Sequence, residues 1–318
     1  MTTSVAPAAP VAGATETRSA PPSGSPRSPR TRPAAARRPG LPAALGLVPF
    51  AAYVLLFLVL PTVLAVGSGF VDDDGGFTLS NIAALGDPVI VQTFVNSAWL
   101  SALTALVGAI VGALACWALV GLEGSRARRL VDAASGVLAQ FGGVMLAFAF
   151  IATIGLQGLV TLWLQDAFGI DIFADGAWIY ALPGLVLPYI YFQVPLMIIT
   201  FMPAMSALQP QWAEANLTLG GTRAGFWRHI GVPVLAPSFL ASLLLLFANA
   251  FSSYATAAAL ASQGSQIVPL QIRTALTSET LLGRENLAGA LALGMVAVMA
   301  ATMWLYSVVQ RRAARWQR

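Results

Sequence analysis

Lysine is absent from this chain, histidine and cysteine occur once each, and only 9% of the residues are charged. Without lysine there is no phosphate-binding loop of the Gly-x4-Gly-Lys-Ser/Thr type and no Schiff-base chemistry. A single histidine (His229) and a single cysteine (Cys116) cannot build a zinc cluster, so neither a metal nor a cofactor is expected. No disulfide can close within one chain. Cys116, in GALACWALV, reads as a small buried hydrophobe. His229 reads as a surface or packing residue.

What the chain has in excess is apolar surface: 57% of its 318 residues are hydrophobic, and the mean hydropathy is +0.75. An ordinary soluble domain carries about 25% charged residues. A soluble core could not hide this much apolar surface, which makes a bilayer the expected solvent. Residues 1–40 differ, being rich in Pro, Ala, Ser, Thr and Arg. Such a segment cannot bury enough apolar surface to offset its ordering entropy and is expected to be a disordered tail. No aromatic residue interleaves its arginines, so the tail reads as an anchor beside a membrane helix, and nucleic acid is not an expected partner.

Six apolar windows follow, near 45–67, 94–120, 131–154, 179–202, 235–259 and 287–309. Each is long enough to cross a hydrocarbon core of roughly 30 Å, and together they predict an all-α polytopic membrane protein over 41–318. The stretch 155–168, GLQGLVTLWLQDAF, is too short to span and reads as an interfacial helix. Arginine placement sets the orientation. Arg18, Arg27, Arg30, Arg32, Arg37 and Arg38 precede the first window; Arg126, Arg128 and Arg129 follow the second; Arg223 and Arg228 follow the fourth; Arg311, Arg312, Arg315 and Arg318 end the chain. On the opposite side only Arg273 and Arg284 occur, beside Asp72, Asp73, Asp74, Asp87, Asp166, Asp171, Asp175, Glu279 and Glu285. The positive-inside rule then puts both termini, and the loop 206–233, in the cytoplasm.

That loop, QWAEANLTLGGTRAGFWRHIGVP, is the charged interruption between two apolar blocks. Pro210 can start a helix over Gln211–Leu219, which Gly220-Gly221 would close. Thr222 can cap a second short helix, Arg223–Ile230, which Pro233 is expected to end. The spacing Glu214-Ala215-Asn216-x3-Gly220-x9-Ile230-x-Val232-Pro233 resembles the EAA loop of permease subunits in binding-protein-dependent ABC importers. The family pattern is Glu-Ala-Ala-x3-Gly-x9-Ile-x-Leu-Pro; Asn216 and Val232 depart from it. The resemblance extends over roughly 45–312. It is nearer to permeases of the spermidine/putrescine, thiamine, iron(III) and aminoethylphosphonate group than to sugar permeases, on LLFANAFSSYATAAALASQGSQIVPLQI among other stretches.

The resemblance implies a transport subunit that is not an enzyme, in an inner membrane, partnered by a pair of ATPase subunits, a second permease subunit and an extracytoplasmic substrate-binding protein. In it Glu214 would meet a basic or amide group of the ATPase, Gly220 would let the chain turn close to that partner, and Phe226 and Ile230 would hold the second short helix against the bundle. A polyamine-like cargo is one expectation; thiamine, iron(III) or aminoethylphosphonate are others.

Few polar groups lie within the windows. Asn249, Ser252, Ser253, Tyr254 and Thr256 form the clearest set, and Asn249, Ser253 and Thr256 share one face if the helix is continuous. Such a face would line a translocation path or serve as helix–helix glue, and both readings stand at this point. Gln193, followed by Pro195, is a further path candidate, while Asn96 and Gln140 read as structural. The windows show no carboxylate or arginine, which weighs against a proton-coupled secondary transporter, the rival from another functional class. No His, Asp, Glu and Cys cluster at membrane depth supports a membrane enzyme.

Overall fold

The structure, a computed structural model, describes residues 41–72, 74–122, 124–261, 267–277 and 285–316. The tail 1–40 with its arginines, together with Asp73, Glu279, Arg284 and Arg318, lies outside the described residues. The chain divides into two compact units, Met1–Val54 and Leu55–Arg318. In the first, α1 covers Leu41–Val54. The second begins with a π-helical turn, Leu55–Val59, and continues through α2 Leu60–Ser68, α3 Ser80–Ala83, α4 Pro88–Val120, α5 Arg126–Gln140, α6 Gly143–Ile154, α7 Leu159–Phe168, α8 Val186–Ser206, α9 Pro210–Thr218, α10 Arg223–Phe226, α11 Val232–Phe251, α12 Ala255–Leu260, α13 Val268–Thr277 and α14 Glu285–Trp316. The architecture is all-α.

Among the described residues, six helical stretches are long and apolar enough to cross a membrane: Leu47–Ser68, Pro88–Val120, Gly143–Phe168, Leu182–Ser206, Arg223–Phe251 and Asn286–Arg311. The number agrees with the sequence pattern, but two stretches differ from it in their helices. Sequence alone runs a helix through 131–154; the structure breaks it at Phe141–Gly142 into α5 and α6. The amphipathic α5 carries Arg126, Arg128, Arg129 and Asp132. It lies along α8, whereas α6 packs on α12. The 155–168 segment turns at Gly155–Gly158 and forms α7, held by Thr161 Oγ1 donating to the Gly155 carbonyl at 2.8 Å.

The fifth stretch starts earlier and stops sooner than 235–259. Pro233 does not end the short second helix; the helical run continues from Arg223 to Phe251 through a π-helical turn, Trp227–Gly231. A proline ring clashes with the carbonyl four residues before it, here that of His229. Widening the turn, with Val232 N donating to the Trp227 carbonyl five residues back, relieves that conflict without stopping the helix. The π turn Leu55–Val59 stands in the same relation to Pro61. At its far end the run breaks over Ser252–Tyr254 before α12.

The centre of the second unit is the α4–α8 pair, with α11 crossing both and α14 packed on α11 and α2. At 33 residues α4 is the longest helix. It extends about 50 Å, well beyond the roughly 30 Å hydrocarbon core. It begins where Asp87 Oδ1 accepts from Val89 N at 2.8 Å and Pro88 fills the first turn. Small residues face α8 along its length: Ala105, Gly108, Ala109, Gly112 and Cys116, all buried. A Cβ on Gly108 would sit 2.5 Å from Gln193 Cβ, and one on Gly112 would sit 2.5 Å from Met197 Cβ. In lipid, where burying apolar surface between helices yields no hydrophobic gain, such close backbone approach and dispersion contact supply the association. Cys116 is buried here, as its neighbours in sequence suggest, with Sγ against the Ile198 carbonyl at 3.8 Å.

Candidate functional site: a turn-closed helix pair and a broken helix

The polypeptide leaves the bundle at Ser206 and returns to it through α11; α9 and α10 lie between. Gln209 is extended, and Pro210 opens α9 at a position where its missing N–H costs nothing. No residue of α9 is buried. Its C-terminus is closed by two bonds that together define a Schellman motif: Gly221 N donates to the Asn216 carbonyl at 2.8 Å and Gly220 N to the Leu217 carbonyl at 3.0 Å. The motif needs a left-handed residue, and Gly220 has φ +82°. A Cβ there would meet nothing within 4 Å, so the conformation, not space, demands glycine at Gly220.

Asn216, a departure from the alanine of the family pattern, has a role visible only in three dimensions. Its Nδ2 donates to the Thr222 carbonyl at 3.0 Å across the turn. Gly221 leaves room for this: a Cβ on it would run into the Asn216 amide. Thr222 Oγ1 in turn accepts from Gly225 N at 3.0 Å and caps α10. Phe226 is buried, its ring centroid 5.8 Å from that of Trp227, and Ile230 is half-buried in the π turn. Pro233 is exposed on the outside of the run.

What remains uncovered on this element is specific. Glu214 and Ala215 are exposed, and Glu214 makes no ion pair among the described residues. Leu219 is 88% exposed and Leu217 48%. The site is therefore a short rigid element whose backbone is satisfied internally and whose outward face carries one carboxylate beside bare apolar side chains. His229 is exposed, its Nδ1 3.0 Å from the Gly225 carbonyl, so it is a surface residue.

The polar set near the fifth stretch is split by the break at Ser252–Tyr254. Asn249, Ser253 and Thr256 do not share a continuous helical face; this corrects the expectation drawn from their spacing, and the reason is that α11 ends at Phe251. Asn249 and Ser252 are exposed, and so is Tyr254, while Thr256 is buried with no hydrogen-bond partner for its Oγ1. The Ser253 carbonyl, freed by the break, accepts from Tyr189 OH at 2.8 Å. Gln193 is wholly buried between α4 and α11; its Nε2 donates to the Leu246 carbonyl at 2.9 Å, and its Oε1 has no partner. Asn96 accepts from Gln92 Nε2 at 2.9 Å, and Gln140 is exposed at the end of α5.

Three tethers escape sequence reasoning: Tyr189 to Ser253, Ser97 Oγ accepting from Val268 N at 2.8 Å, and Arg128 Nη2 donating to Ser206 Oγ at 2.9 Å. Their partners stand far apart in the chain, and no local signal marks them. The last ties α5 to the end of α8, one turn before the exposed helix pair.

No protein-family model matches the chain. It is 24% identical over 202 residues to the ferric transport system permease protein FbpB of Actinobacillus pleuropneumoniae, a match covering 63% of this chain but only 29% of that longer protein. It is 25% identical over 222 residues to the trehalose transport system permease protein SugB of Mycobacterium tuberculosis, covering 70% of this chain and 73% of the other. With the sulfate transport system permease protein CysT of Synechocystis it shares 28% identity over 215 residues, 66% and 69% of the two chains. Among solved structures, a bacterial ABC transporter importing the acidic polysaccharide alginate superposes with a TM-score of 0.64 at 14% identity, covering 86% of this chain and 96% of that one. The chain thus resembles ABC-importer permease subunits in sequence and shares the fold seen in such an importer; its relatives are transport components and not enzymes.

Proposed function

We propose that the chain is the permease subunit of an ATP-binding-cassette importer, forming half of a transmembrane path and coupled to a separate ATPase through 206–233. The observation that carries this reading is the α9–turn–α10 element: closed on itself by hydrogen bonds, continuous with the core helix α11, and exposing Glu214, Leu217 and Leu219. A transporter with no nucleotide site must receive work from a partner. A rigid element at the end of two core helices can deliver it. ATP-driven closure of two ATPases would draw on this element in each of two facing permease subunits, identical or similar, and rock the bundles between inward- and outward-open states. The arginine asymmetry supports a plasma-membrane location with both ends and this element in the cytoplasm. A substrate-binding protein on the other side would deliver the cargo; a related alginate importer has been solved in complex with its alginate-bound periplasmic protein.

For the path, the break after Phe251 is the favoured site. Discontinuous helices at membrane depth expose backbone groups and polar side chains where substrates bind in transporters. Asn249, Ser252 and Tyr254 are exposed there, whereas Gln193 and Thr256 are enclosed and act from behind. The relatives named above carry iron(III), trehalose and sulfate, so a polyamine-like cargo draws no support from them. The test is uptake into inverted or right-side-out vesicles holding this chain with its ATPase and binding protein. Uptake should require ATP and persist when an uncoupler collapses the proton gradient. Uptake lost with the gradient at constant ATP would overturn the reading in favour of a secondary transporter.

A further inference from the structure

Three adjoining cavities descend the side of the bundle to the exposed helix pair. The deepest, 610 Å³, lies between α4, α8 and α11 and is walled by apolar side chains, among them Ile110, Leu114 and Phe239. It shares Trp117, Met205 and Trp227 with a second cavity of 480 Å³. That one shares Pro210, Ala213 and Phe226 with a third of 360 Å³, whose lining includes Glu214 and Arg223. The result is one groove, dry at depth and charged at its mouth.

Its dimensions match one leaflet. Ile110 lies about ten residues, or ~15 Å, before the end of α4, and half of a roughly 30 Å hydrocarbon core is the same depth. Trp117 and Trp227 stand where the apolar part gives way to the polar part, the level at which tryptophan concentrates in membrane proteins. Arg223 is exposed at the mouth and makes no ion pair among the described residues, and Arg228 follows Trp227 in the chain. Basic groups at the membrane surface between spanning helices attract phospholipid headgroups. A helix of a neighbouring subunit could cover the apolar cavity, but it would leave the arginine at the mouth without a counter-charge.

We infer that this groove is a phospholipid site: one acyl chain lies against Ala113 and Ala236 at its floor, and the lipid phosphate rests on Arg223. The inference requires the chain to be membrane-embedded and needs no ATPase or cargo. Because Trp227 belongs to the π turn joining α10 to α11, an occupant would brace the element that the proposed function uses for coupling.

The test is native mass spectrometry of the purified full chain, titrated separately with phosphatidylglycerol and phosphatidylethanolamine. One tightly held phospholipid per chain is expected. Ala113→Phe and Ala236→Phe should each abolish it by filling the groove. Arg223→Gln, which touches no packing, should weaken it about tenfold. Thermal unfolding without added lipid identifies any groove variant that has failed to fold, and Arg223→Gln then carries the test alone. Lipid retention unchanged in the folded variants would overturn the site. So would disulfide dimerisation of Ala113→Cys in a Cys116→Ser background in native membranes, which would show a second copy of the chain in the groove. Neither result depends on transport, so failure here is separable from failure of the permease reading.

Discussion

The α4–α8 contact and the α9–turn–α10 element are made by opposite means. In the first, glycine serves as absence of bulk: Gly108 and Gly112 let Gln193 and Met197 approach to a separation at which no Cβ fits. In the second, glycine serves as permission for a backbone angle: Gly220 sits in open space at φ +82°. The first is held by packing and carries two buried, half-satisfied or unsatisfied polar groups nearby, Gln193 and Thr256. The second is held almost wholly by hydrogen bonds and buries only Phe226. A region built by packing resists change of volume, and a region built by hydrogen bonds resists change of backbone conformation.

This contrast sorts the expected consequences of mutation. The largest effect belongs to Gly112→Leu, which must force α4 and α8 apart. Overpacking a filled core costs about 1–3 kcal/mol or more, and here backbone must move, so thermal unfolding in detergent should fall sharply and membrane yield with it. An unchanged midpoint would mean that α4 and α8 are not in contact at this point. Gly220→Val comes next. A β-branched side chain at a left-handed position costs on the order of 1–2 kcal/mol, spent locally in the turn. The bundle should insert and melt as the wild type does, while co-purification of the ATPase and substrate-stimulated hydrolysis are lost.

Asn216→Ala should be milder. It removes one bond across the turn, worth about 0.5–1.5 kcal/mol, and leaves the Schellman bonds in place. Partial loss of coupling is expected, and hydrogen exchange at Gly220 and Gly221 should quicken; coupling equal to wild type would show that the Asn216 clamp is dispensable. The smallest effect on structure belongs to Glu214→Ala. An exposed carboxylate without an ion pair contributes little to stability, so the melting curve should not move. Coupling should nevertheless drop, because the charge is there for another chain. A Glu214→Ala protein that couples normally would reduce α9 to a connector.

Much of this was legible because it rests on local rules. A run of about twenty apolar residues has few alternatives to a membrane helix, and a Gly-Gly pair after a short amphipathic stretch has few alternatives to a left-handed cap. The short helix expected at Gln211–Leu219 appears as Pro210–Thr218, and Thr222 caps its successor. The breaks were harder. Phe141–Gly142 interrupts what hydropathy reads as one helix, since hydropathy reports solvent preference and not backbone continuity. The interruption at Ser252–Tyr254 has polar residues as its only trace, and those residues suit a continuous helix just as well. The π turns ahead of Pro61 and Pro233 had a signal in the prolines themselves, which were read as stops although a widened turn accommodates them.

By itself the sequence determined the solvent, the number of long apolar helices, the side on which arginine collects, and the register of the loop with its left-handed glycine. Each of these follows from composition or from interactions within a few residues, where chain connectivity already brings the partners together. Only the tertiary structure decided that Asn216 clamps the turn, that Gln193 is enclosed against Leu246 while Asn249 stays exposed, that Arg128 grips Ser206, and that the cavities along α4, α8 and α11 join into one groove. Except for the Asn216 clamp, these depend on groups tens of residues apart, and all four depend on the few ångströms of clearance that backbone placement leaves between them; no local pattern in the chain encodes such clearance.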